Sequence, residues 1–146
     1  MENTVNNSAN VRVVKGFLDA QYAGDFDTAF GSFAQPDFSW IVGSADNETL
    51  RDAIPWAGHT HLGKEGYVQL VTELFSEFEA LEFNPARFTD AGECVFVEGN
   101  FVFRHKETGK TVNSDFLSRF DMKDGKIIGG QFYENTQGVA EARRKD

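Results

Sequence analysis

The chain has a single cysteine, no internal repeat, no low-complexity linker and far fewer bases than acids. One cysteine, Cys94, excludes an internal disulfide. It lies in the apolar run Cys94-Val95-Phe96-Val97, which reads as a small buried hydrophobe with no histidine near it in sequence. With 14 basic against 23 acidic residues the formal net charge is −9. A surface of that sign repels phosphate backbones and anionic lipid, so neither a nucleic acid nor a membrane partner is expected. The longest basic run, Arg143-Arg144-Lys145, reads as a solvated tail. No stretch approaches the roughly 18 apolar residues of a membrane span. The opening residues MENTVNNSAN carry neither the basic start nor the apolar stretch of a signal peptide, and a cytoplasmic location is the expectation.

What is present in excess is aromatic side chain, with 15 Phe, 3 Tyr and 2 Trp among 146 residues. Phenylalanine fills volume without needing a hydrogen-bond partner. It suits either a dry core or the wall of an apolar pocket. The length is that of one domain, read as 1–146 with about 1–7 and 141–146 loosely held.

Apolar spacing predicts a helix from Ser8 to about Ala23, stopped by Gly24. Asp25 opens a second, with Phe26, Ala29, Phe30 and Phe33 on one side and Pro36 at its end. Phe38 to Val42 reads as a strand, Gly43 to Arg51 as a polar loop, and Lys64 to Glu79 as a third helix. Four strands follow: Leu81–Phe88, Cys94–His105, Thr111–Met122 and Ile127–Asn135, with a short helix after Thr136. Pro85 marks the first of them as an edge or bulged strand. The order α-α-β-α-β-β-β-β predicts an α+β fold, a cone-shaped curved antiparallel sheet wrapped around N-terminal helices. Alternation turns Val95, Val97, Phe101, Phe103, Phe116, Ser118 and Phe120 inward. Phe96, Val102 and Leu117 then lie outside among charges, which points to a homodimer through the outer sheet face.

Several motifs in this order carry a resemblance. They are Ala23-Gly24-Asp25-Phe26-Asp27, Trp40 on the first strand, Ile54-Pro55-Trp56-Ala57-Gly58, Leu62-Gly63-Lys64-Glu65-Gly66, Phe120 to Ile127, and Tyr133-Glu134-Asn135-Thr136. With them the chain resembles the nuclear transport factor 2-like (cystatin-like) superfamily, in its SnoaL-like and ketosteroid-isomerase-related branch. The resemblance implies a conical barrel with a deep pocket, usually dimeric, and no single reaction. Family members include isomerases, polyketide cyclases, epoxide hydrolases and non-catalytic binders. The isomerase base falls near Val42 and the cyclase base near Ser118, and neither residue is a base. The nearest match to the epoxide-hydrolase set is Arg104, Asp115 and Arg119, which alternation places outside.

The expected pocket groups are therefore sparse. Tyr133, His59 and Ser118 are the candidate catalytic residues, as hydrogen-bond donor, general base and orienting hydroxyl. Phe17, Tyr22, Trp40, Trp56, Phe101, Phe116 and Gln131 are the candidate ligand contacts. Glu134 and Asp115 are the carboxylates to consider if a base is required, since burial in an apolar site would raise either pKa. His59-Thr60-His61 supplies two metal-type ligands without a third, so no metal or other cofactor is expected. His105, at a hairpin end, reads as solvated. The expected partner is a small hydrophobic molecule. Acid–base catalysis as an isomerase, cyclase or lyase competes with simple binding and with a scaffold role.

Overall fold

A computed structural model describes residues 8–146; the expectation for residues 1–7 lies outside them. Helix α1, Ala9–Tyr22, begins where Ser8 Oγ accepts the Val11 N–H and donates to Asp90 on a distant strand. Its stripe of Val11, Val14 and Phe17 is buried, and Gly24, at φ +79°, lets the chain turn away. Asp25 caps α2, Phe26–Thr28, which widens into a π-helical turn over Ala29–Phe33.

Strand β1 is longer than expected and runs Ala34–Val42. Pro36 thus lies within the strand rather than at a helix end. Its missing N–H falls in the interval between Ala34 and Ser39, where pairing with the neighbouring strand shifts register. The segment 43–51, expected as a loop, instead runs into α3, Glu48–Ala53, capped by Asn47, and the short β2, Thr60–Leu62, follows it. Both are too short for periodicity to reveal them. Helix α4, Gly63–Glu77, leads directly into β3, Phe78–Asp90. Strands β4, Cys94–His105, β5, Thr111–Lys123, and β6, Lys126–Glu134, follow, then α5, Thr136–Arg143.

The six strands form one curved, unclosed sheet in the order β2-β1-β6-β5-β4-β3. Every pairing is antiparallel except β1 with β6, which is parallel. Register shifts in β3 between Ala80 and Glu82 and between Pro85 and Arg87 bend the edge strand, as Pro85 foretold. Helices α1 and α4 lie across the concave face. Phe17 sits at their junction, with ring centroids 5.5 Å from Phe30, 5.9 Å from Phe38 and 5.7 Å from Tyr67. The inward set expected on β4 and β5 is buried throughout.

Two surface expectations change. His105 is buried, not solvated: its Nε2 lies 3.1 Å from Glu77 and its Nδ1 accepts the Glu107 and Thr108 N–H groups. Arg143, expected in a solvated tail, grips Glu77 at 2.7 and 3.0 Å, donates to the Ala53 carbonyl and covers the Trp56 ring at 5.5 Å. A guanidinium satisfies a carboxylate, a carbonyl and an aromatic face at once, which explains why α5 docks here.

Candidate functional site

A cavity of about 420 Å³ opens between the concave sheet face and helices α1 and α4. Its walls are mostly aromatic and aliphatic, with Trp40, Trp56, Phe78, Phe103, Phe120 and Phe132 among them. Tyr22, 66% exposed, and Phe75, 37% exposed, border it where it meets solvent. Trp40 reaches the cavity because its partner across the parallel ladder is Gly130. A Cβ at that position would overlap both the Arg119 carbonyl oxygen and the Trp40 ring.

Among its lining residues one group carries an acidic or basic function, Glu134. It stands on β6 opposite Phe116. The side chain is half-buried and borders the void. Burial pushes its pKa from the ordinary 4.5 up to about 7. No described residue hydrogen-bonds to its carboxyl, and the side chain lines the cavity. Ser118, buried on β5, is paired with Phe132, one diagonal step from Glu134. A third polar point is Tyr67 of α4, whose hydroxyl donates to Gln21 Oε1 of α1 at 3.1 Å. Burial raises the Tyr67 pKa, so it stays a neutral donor. The arrangement offers one proton-transferring carboxyl, titrating near neutrality, within an apolar enclosure.

Of the residues expected from sequence, Ser118, Tyr22, Trp40 and Trp56 line this cavity. Phe17, Phe101 and Phe116 are buried in the wall behind it; Phe116 stacks on Phe83 at 4.9 Å. Tyr133 and Gln131 face the opposite side of the sheet. Tyr133 is 39% exposed, and Gln131 donates to the Gly43 carbonyl. His59 is outside the lining, donating to the Pro55 carbonyl with its ring 4.4 Å from that of His61. His61 is buried against the Trp56 carbonyl, and burial lowers its pKa.

The reversal of Tyr133 and Glu134 has a single cause. Lys123 pairs with Lys126 and Met122 with Ile127, but Asp121 pairs with Gly129, leaving Ile128 unmatched. An unbroken hairpin would have put Gln131 and Tyr133 on the face of Ser118 and Phe116. The one-residue bulge exchanges the faces and brings Phe132 and Glu134 inward. The adjacent Gly129 and Gly130 were the sequence signal for it. Tyr67 and Gln21 were missed as cavity groups because each also fits a helix core stripe or boundary.

Val42 and Ser118, the positions where the family resemblance locates a base, both line the cavity, and Glu134 supplies a carboxyl from a different strand. Asp115 is exposed; Arg104 pairs with Glu79 and Arg119 with Asp121. Among the described residues no group of three or more His, Cys, Asp or Glu is arranged to hold a metal ion. No described helix is long and apolar enough to cross a membrane.

A family model described as a SnoaL-like domain matches residues 14–129. The patulin synthesis protein F of Aspergillus clavatus is 28% identical over 112 residues, 75% of this chain and 57% of that protein. The chain thus spans little more than half the length of the curated relatives it matches. Among solved structures, a nuclear transport factor 2-like protein of Burkholderia xenovorans LB400 superposes with a TM-score of 0.78 at 26% identity, covering 93% of this chain and 96% of that one. TerC, co-crystallised with polyporic acid, superposes with a TM-score of 0.73 at 20% identity, covering 92% and 98%. At that identity the likeness to TerC speaks to fold alone.

Proposed function

The chain belongs to the SnoaL-like domain family, and from that premise we propose that its cavity binds a small, largely apolar molecule and moves a proton on it, with Glu134 as the acid–base group. The observation that carries this reading is the carboxyl of Glu134 in an aromatic enclosure, with a pKa raised to about 7 by burial. At neutral pH both of its protonation states are populated. The carboxylate can take a proton from carbon next to a carbonyl, and the acid can return it elsewhere, the step shared by isomerases, cyclases and many lyases. Ser118, beside it on the ladder, is positioned to orient the ligand. The co-crystallisation of TerC, a protein of the same fold, with polyporic acid is in keeping with a small organic ligand.

Incubation with small aromatic ketones in deuterated buffer tests the reading. Wild type should speed exchange of the hydrogens next to the carbonyl, and Glu134→Gln should lose that acceleration by about 100-fold or more. Equal exchange by both proteins would remove Glu134 from the role.

The absence of a base at Val42 and at Ser118 favours a second reading, a binder that holds its ligand without reacting it. It would show ligand binding with a negative heat-capacity change and no exchange. We also propose that two copies associate through the outer sheet face.

A further inference from the structure

Resting on that reading of the cavity, we propose that Gln21, oriented by Tyr67, selects the ligand by binding an acceptor oxygen of an uncharged molecule. Tyr67 is held by edge contacts to Phe17 at 5.7 Å, Phe38 at 5.6 Å and Trp40 at 6.0 Å. Its hydroxyl occupies Gln21 Oε1. The Gln21 amide therefore presents Nε2, with its two N–H groups, and no described residue accepts from it. Gln21 lines the cavity beside the exposed Tyr22, so this donor waits at the outer rim. A ligand seated across this rim displaces water from the Gln21 N–H groups, and a carbonyl-type oxygen on it restores the lost hydrogen bond.

The charge pattern narrows the class further. Among the described residues no lysine, arginine or histidine lines the cavity, and one carboxyl, that of Glu134, does. A carboxylate or phosphate inside would find no counter-charge and would meet Glu134 across an apolar space. The ligand class is thus an uncharged, oxygenated molecule with an aromatic or similarly flat apolar body.

Three probes of nearly equal size separate these claims: 2-acetonaphthone, 2-ethylnaphthalene and 2-naphthoate. Binding is read from the fluorescence of Trp40 and Trp56, which both line the cavity. At about pH 8.5 Glu134 is ionised and cannot donate, so a ketone oxygen must take its hydrogen bond from Gln21, Ser118, the Tyr22 hydroxyl or the indole N–H of Trp40 or Trp56, and the Gln21 and Ser118 variants separate the first two from the rest. Wild type should bind the ketone about tenfold tighter than the hydrocarbon, and the anion at least about tenfold weaker than the ketone. Gln21→Leu should abolish the ketone's advantage, and Tyr67→Phe should reduce it while hydrocarbon affinity holds. Survival of the advantage in Gln21→Leu, or its loss in Ser118→Ala instead, overturns the assignment. Naphthoate binding as tightly as ketone overturns the charge class. Binding of all three alike leaves the cavity reading standing and removes this one; binding of none removes both.

Discussion

Glu134 and Ser118 lie one diagonal step apart across the β5–β6 ladder, and both side chains reach the same cavity. Residues so related are close enough for a single ligand to touch both. The hydroxyl is neutral at every pH of interest, whereas the carboxyl changes charge near 7. The site's pH dependence therefore resides in Glu134.

That dependence must appear in stability as well. The folded pKa of Glu134, about 7, lies above its ordinary 4.5. As pH rises the unfolded chain releases this proton first, so the folded state loses stability between those values and the loss is complete above them. Glu134→Gln removes the titration. The variant should match wild type near pH 4 and exceed it by up to ~3 kcal/mol near pH 9 in urea unfolding. A constant difference across that range would show that Glu134 is not held in a raised state.

Much of the fold was legible in the sequence because it rests on long periodic elements. The stripe Val11, Val14, Phe17 and the alternation along β4 and β5 specify which face is buried without reference to partners. The site was less legible because it depends on register. Tyr133 and Glu134 are neighbours, and only the unmatched Ile128 decides which of them turns inward. The burial of His105 and the docking of Arg143 depend on Glu77, far away in sequence. The parallel pairing of β1 with β6 is likewise invisible to local pattern.

Gly130 offers a direct test of how the cavity wall is built. Its φ is +157°, and any Cβ would meet the Arg119 carbonyl oxygen and the Trp40 ring. Gly130→Ala should cost more than ~3 kcal/mol or prevent folding, because rigid backbone cannot yield. Gly92→Ala is the control: its Cβ would meet nothing within 4 Å, so only the strain of its φ of +92° remains. That variant should lose about 1 kcal/mol. Similar losses in both, measured by chemical unfolding, would mean that crowding at Trp40 is unimportant.

Arg143 ties α5 to the outer side of the Trp56 wall. Glu77 has its pKa lowered, first by hydrogen bonding to Arg143 and then by His105. This contribution is present above the ordinary carboxylate range and is lost as pH falls through the lowered value. Arg143→Ala should destabilise the protein by about 2 kcal/mol at neutral pH, and by less in acid. Arg143→Lys should recover under half of the loss, because an ammonium cannot make the paired contacts to Glu77 and cover Trp56 together. Equal stability of the lysine variant and wild type would reduce the interaction to simple charge.

The outer sheet face bears on assembly. Leu117 is paired there with Tyr133, and Phe96 and Val102 share that face among Glu98, Arg104 and Arg119. All four apolar or aromatic side chains keep some surface in the isolated chain. A second copy related by a two-fold axis is the occupant proposed for this patch, which is ringed by charges of both signs. Sedimentation at micromolar concentration should then report a dimer. Leu117→Arg would bury a charge at its centre and should weaken association by about 100-fold, leaving circular dichroism and cavity binding unchanged. A monomeric wild type would eliminate this contact. A variant that dimerises normally would move it to another surface, and would leave the exposure of Tyr133 unexplained by assembly.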